Sequence, residues 1–172
     1  LTKLGYSKRE INLGQIAAYM HDIGNVVNRN DHAQTGAVMA FRILDNLGMM
    51  VEDIATIVTA IGNHDDSTAY PVNAITAALI LADKTDVRRS RVTNKDRTTF
   101  DIHDRVNFAA VQNSVNLDTE AKTFTLKIVI DTEICSVMDY FEIFLERMIL
   151  CKKAAKKLGL EFRLIINDLS VI

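Results

Sequence analysis

Residues 16–24 read Ile16-Ala17-Ala18-Tyr19-Met20-His21-Asp22-Ile23-Gly24, and this stretch decides how the first half of the chain is read. An apolar run at helical spacing ends in a histidine and an aspartate, and a glycine follows at once. Such a pair at the end of a buried helix is costly unless something compensates it. A divalent metal is an economical partner, because neutral imidazole and carboxylate are both good ligands. Outward from residue 21 the same placement recurs. Of the four histidines, His21, His32 and His64 each fall near a predicted helix end, and His64 precedes Asp65-Asp66. Asp83 closes the apolar run Ala78-Leu79-Ile80-Leu81-Ala82, where a carboxylate is expensive unless paired or metal-bound.

The helices that carry these residues are legible from their periodicity. Residues 8–23 place Ile11, Ile16, Ala17, Met20 and Ile23 at helical spacing, and Ser7 with Glu10 predicts a capping box. The polar run 25–30 breaks this helix. Residues 31–47 resume with Ala33, Ala37, Ala40, Phe41 and Leu44 along one side, and Gly48 lies just past the end. Residues 51–63 predict a third helix. Tyr70-Pro71 predicts the start of a fourth, with proline in its first turn, running to residue 88. Helices in a bundle can bring alternate ends together around one pocket. His21, Asp22, His32, His64 and Asp83 would then supply three nitrogens and two carboxylates. That set suits Mn, Fe, Zn or Mg better than a thiol-loving metal, and is large enough for one ion or two. Each residue alone has a plainer use. His21 can be a satisfied helix-end histidine, His32 can pair with Asp31, His64 can complement a helix dipole, and Asp83 can pair with Lys84 or Arg88. The joint pattern favours the metal site.

The pattern changes after residue 91. Residues 92–99 are polar and predict a loop, and residues 101–110 predict a short helix in which His103-Asp104 is a polar start. Val111, Val115 and Leu117 alternate with polar residues, as do Phe124, Leu126, Ile128 and Ile130, so two strands are expected with residues 118–122 between them. Thr132 predicts the cap of a long helix over 133–158, ended by Gly159, and Phe162, Leu164 and Ile166 predict a last strand. The expected fold is therefore α+β: an all-helical domain over residues 1–92, then a small β-β-α-β unit over residues 100–172. Phe141, Ile143, Phe144, Leu145, Met148 and Ile149 cover more than one face of the long helix. Core packing against the sheet is the first use of that surface, and homodimerisation through the C-terminal part is the second.

Composition narrows the function classes. Hydrophobic residues make up 48% of the 172 and charged residues 24%, which fits a globular chain. The formal net charge of −2 argues against nucleic acid as a partner, despite Arg88, Arg89 and Arg91. No apolar stretch approaches the roughly 20 residues that a membrane span needs. There is no signal-peptide pattern at the start. Cys135 and Cys151 fall in the predicted long helix, roughly 24 Å apart along its axis, so they cannot bridge within it. Reduced thiols and a cytoplasmic location are expected.

Ala17-Ala18-Tyr19-Met20-His21-Asp22-Ile23-Gly24, Ile61-Gly62-Asn63-His64 and Leu81-Ala82-Asp83-Lys84-Thr85-Asp86 together resemble the HD-domain superfamily of metal-dependent phosphohydrolases, over roughly residues 8–91. The resemblance implies an HD-type helical bundle. It implies that His21 and Asp22 are the central ligand pair, that Asp83 is the final aspartate, and that His32 and His64 match the two histidines by which some members hold a second metal. In the family a first histidine precedes the His-Asp pair, and no histidine stands among the first twenty residues here. The expectation is a domain lacking its first helix. Asn25 stands where the family has lysine.

The implied activity is hydrolysis of a nucleotide or other phosphoester with one or two divalent ions (Mn, Fe, Mg, Zn, Co or Ni). A bound ion makes hydroxide available near neutral pH and polarises a phosphoryl oxygen. Asp22 or Asp83 is expected to bind metal and orient the water, and His64 or His32 to donate a proton to the leaving group if only one ion is present. Lys84, Arg88 and Arg91 recur at spacings of four and three, and are expected to bind the phosphate of a phosphorylated small molecule from one helix face. The alternative is a catalytically decayed HD module that binds metal or nucleotide for regulation.

Overall fold

The computed structural model describes residues 1–66, 68–92 and 94–171. Ser67, Ile172 and Thr93, which falls in the loop expected over 92–99, lie outside the described residues. The protein is mixed α+β. Among the described residues it has six α-helices and one four-stranded sheet. No helix among them is long and apolar enough to cross a membrane. The chain divides into two units: Leu1–Ala82 with Lys153–Leu158, and Asp83–Lys152 with Gly159–Ile172.

The first unit is helical. Helix α1 spans Lys8–Met20, α2 spans His32–Asn46, α3 spans Val51–Gly62, and α4 spans Ala74–Lys84 and crosses the unit boundary. The expected capping box is present: Ser7 accepts from the Glu10 N–H at 3.2 Å, and the Glu10 carboxylate accepts from the Ser7 N–H at 2.9 Å. Leu13, Ala17 and Met20 of α1, Ala40 and Leu44 of α2, Ile54, Ile57 and Ile61 of α3, and Ile75 and Leu79 of α4 form one buried cluster. Each set recurs every three or four residues, so each helix spends one stripe on the same core. Arg9 on α1 also reaches Asp53 on α3, at 2.8 Å.

Several expectations about these helices are corrected. The first helix ends at Met20 rather than residue 23, and Ile23–Val26 continues as a 3-10 turn. Tyr19 is 92% exposed, so the stretch before His21 is buried on one stripe only. The fourth helix starts at Ala74, not in the Tyr70-Pro71 turn, because Asn73 Oδ1 accepts from the Thr76 N–H at 2.8 Å and caps it. It ends at Lys84 rather than 88, and Arg88 is extended, with φ −146° and ψ 146°. Lys84, Arg88 and Arg91 therefore do not share a helix face.

The second unit contains α5 (Ile102–Ala109), β1 (Ala110–Asp118), β2 (Thr123–Ile130), most of α6 (Val137–Lys157), β3 (Glu161–Ile166) and the short β4 (Leu169–Ser170). The sheet order is β1-β2-β3-β4. β1 runs antiparallel to β2 with Val115 opposite Leu126, and β2 runs parallel to β3 with Leu126 opposite Leu164. A parallel pair needs a crossover, and α6 is that connection. The buried residues of the strands (Leu126, Ile128, Phe162, Leu164, Ile166) and of α6 (Tyr140, Phe144, Met148, Cys151) supply the core of this unit. The β-β-α-β order matches expectation, and β4 adds a fourth strand. The cap of α6 is corrected: Ser136, not Thr132, accepts from the Asp139 N–H at 3.1 Å. Cys135 consequently precedes the helix. Both cysteines are free and buried.

Candidate metal centre

Three of the sequence-selected histidines and Asp22 converge in the first unit. His21 is the residue after α1, Asp22 begins the turn that follows, His32 is the first residue of α2, and His64 lies two residues beyond α3. Two glycines permit the approach. A Cβ on Gly24 would stand 2.7 Å from the Gly36 nitrogen and closer still to the His32 carbonyl oxygen. A Cβ on Gly36 would stand 3.2 Å from the Gly24 nitrogen and 3.4 Å from the His21 carbonyl oxygen. The turn carrying Asp22 therefore rests directly on the first turns of α2, and this backbone contact brings Asp22 to His32.

The three imidazoles are oriented in the same way. Each Nδ1 lies against the main-chain carbonyl three residues earlier: His21 on Ala18 at 2.8 Å, His32 on Arg29 at 2.9 Å, and His64 on Ile61 at 2.6 Å. A carbonyl only accepts, so Nδ1 is the donor in all three. In a neutral ring that leaves Nε2 as the acceptor and potential ligand atom. Such a bond to the other ring nitrogen is how proteins fix the orientation of a metal-binding histidine.

The Nε2 atoms point to a common place beside Asp22. His32 Nε2 is 3.3 Å from His64 Nε2 and 3.2 Å from Asp22 Oδ1. His64 Nε2 is 3.9 Å from Asp22 Oδ1, and His21 Nε2 is 3.5 Å from Asp22 Oδ2. One ligand atom each from His21, Asp22 and His64 lies within 4.8 Å of the others. Donors held about 2.0–2.2 Å from one ion in tetrahedral or octahedral geometry stand roughly 3.0–3.5 Å apart. The donor types suit a divalent cation, and His21, Asp22 and His64 lie close enough together to hold one after small side-chain movements.

Burial is distributed differently from the sequence-based expectation. Asp22 is half exposed, with 47% of its side chain accessible, whereas the His32 and His64 side chains are only 2% and 1% accessible. The costly groups are thus the two buried histidines. Two neighbours complete the rim, and sequence reasoning assigned neither a role. Asp65 Oδ1 is 3.8 Å from His32 Nε2. The Arg29 NH1 group is 3.7 Å from Asp22 Oδ1 and 3.5 Å from His32 Nε2. The available signal for Arg29 was its position three residues before His32, inside the polar run between two ligand-bearing elements.

The remaining predicted site residues belong to the second unit. Asp83 pairs with Lys84 Nζ at 2.8 Å, and Lys84 is buried. Arg88 and Arg91 both pair with Asp86, through hydrogen bonds of 2.8 and 3.3 Å to Oδ2. Their expected shared face is replaced by this local ion-pair cluster. No family model matches the chain, and no curated protein or solved structure gives a significant match.

Proposed function

We propose that the chain is a metal-dependent phosphohydrolase of the HD type, acting on a nucleotide or other phosphoester, with its centre at the helix ends of the first unit. The observation that carries this reading is the shared orientation of His21, His32 and His64, each with Nδ1 on its own backbone and Nε2 turned towards Asp22. The resemblance of the His21-Asp22-Ile23-Gly24 segment and its spacing to His64 supports the same assignment.

His21, Asp22 and His64 form the ligand group for one ion. A divalent ion bound there supplies Lewis-acid activation of a phosphoryl oxygen and of an attacking water. Asp22 directs one oxygen towards His21 and the other towards His32, so its carboxylate serves both flanks of the centre. Its exposure lets it hold a water as well. With one ion bound, His32 is the buried imidazole left over, and its Nε2, an acceptor in the neutral ring, is placed to take a proton from the attacking water. With two bound, His32 and His64 both act as ligands.

The test is metal analysis of the purified full chain before and after chelation, with a phosphoester panel assayed in Mn, Mg, Co and Ni. The reading expects co-purifying metal and metal-dependent release of phosphate or nucleoside monophosphate. Metal without turnover across the panel would instead favour the regulatory module. Absence of metal uptake would reject both.

A further inference from the structure

We propose that Arg29 is the phosphoryl-binding cation of this centre. The inference rests on the metal-centre reading and names the group that would hold the anionic part of the substrate. Arg29 lies at the mouth of the cluster, with NH1 3.7 Å from Asp22 Oδ1 and 3.5 Å from His32 Nε2. It is tethered there twice. Asn25 Oδ1 accepts from NH1 at 3.2 Å, and the Arg29 main-chain carbonyl accepts from His32 Nδ1 at 2.9 Å. One tether fixes the guanidinium and the other fixes its backbone to a ligand histidine. Yet 67% of the side chain is exposed, so a substrate can reach it.

That combination suits anion recognition better than support of the fold. An exposed Arg–Asp pair at 3.7 Å contributes little to stability. A guanidinium, by contrast, offers a planar fork of donors that matches two phosphoryl oxygens. In the two-ion form, where His32 would also be a ligand, its Nε2 would no longer be open to Arg29 NH1, and that N–H would be left for substrate. Lys84, Arg88 and Arg91, the cations expected from sequence, are engaged with Asp83 and Asp86. Arg29 is instead set against the Asp22 carboxylate and His32 Nε2 themselves.

The test uses the full chain and two titrations read by calorimetry: Mn(II) into metal-stripped protein, then inorganic phosphate into the Mn-loaded protein. Arg29→Gln is expected to weaken phosphate binding at least tenfold, while Mn affinity stays equal or rises, because a positive charge beside the ion has been removed. Arg29→Lys, which keeps the charge but loses the fork, is expected to fall between them, and serves if the glutamine variant misfolds. Equal phosphate affinity in wild type and Arg29→Gln would overturn the inference and leave the metal centre standing. A parallel loss of Mn and phosphate binding would also overturn it, by showing that Arg29 only supports Asp22. Failure of the wild type in the Mn titration would remove the underlying centre, and the assignment of Arg29 with it.

Discussion

His32 Nε2 and His64 Nε2 stand 3.3 Å apart at a place where both side chains are almost wholly buried. Both rings have committed Nδ1–H to a backbone carbonyl, so in their neutral forms the facing atoms are two acceptors. In the one-ion form His64 is a ligand with His21 and Asp22, and in the two-ion form His32 becomes a ligand as well. The expected consequence is that ligand removal acts on metal affinity. His64→Gln and Asp22→Asn should each weaken Mn(II) binding by at least about 10–100-fold, the range seen even for groups one step removed from a metal. Calorimetric titration of the stripped variants checks this.

Gly24 should not tolerate a side chain. The added methyl of Gly24→Ala would press on the Gly36 nitrogen and the His32 carbonyl, both backbone atoms that cannot swing aside. Overpacking of this kind costs about 1–3 kcal/mol. A chain of this size should lose about 2–4 °C of Tm per kcal/mol. Because the same contact sets Asp22 on α2, Mn affinity should fall as well. Thermal melts and metal titration of one variant read both effects.

The second unit carries a pH dependence unrelated to the metal centre. Burial pushes the Tyr140 hydroxyl well above its ordinary range, and its Oη lies 3.7 Å from Met148 Sδ. Above about pH 10 the unfolded chain loses this proton while the folded chain keeps it. Fewer protons are then bound in the unfolded state, so stability falls as pH rises, by up to about 1.4 kcal/mol per pH unit for one group. Tyr140→Phe should remove that part of the alkaline slope. Urea unfolding at pH 8 to 11, compared between wild type and variant, checks the difference. Burial raises the Cys135 thiol as well, so some slope remains in the variant.

Ser7 should matter to α1 and hardly at all to the site chemistry. Its hydroxyl oxygen accepts from the Glu10 N–H, and it sits fourteen residues before His21, the first residue of the cluster. Ser7→Ala should lower Tm by about 2–4 °C, as expected for loss of an N-cap. Mn affinity should be unchanged, and differential scanning calorimetry with a metal titration separates the two.

Much of this arrangement was legible because it lies in local pattern. Ser7 with Glu10 marks the start of α1, and Gly48, at φ 73°, marks the end of α2. His21, His32 and His64 could be placed at helix ends because each follows or opens a periodic apolar run. The misreadings have equally local causes. Thr132 looked like a cap, but Ser136 has Asp139 three residues on, and their reciprocal bonds decide where α6 begins. The end of the fourth helix at Lys84 is not legible, because neither glycine nor proline marks it. Arg29 was missed because its role depends on tertiary placement: the close approach of Gly24 and Gly36 brings its loop to Asp22, and no periodicity records that contact.

The proposed centre requires the Nε2 atoms of His21 and His64 and the carboxylate of Asp22 to hold one ion. An anomalous difference map from crystals of the full chain grown with Mn(II) tests this most directly. The predicted result is a peak about 2.0–2.3 Å from all three groups, lost in Asp22→Asn. A map with no peak at this cluster, at Mn concentrations that saturate other sites, would contradict it.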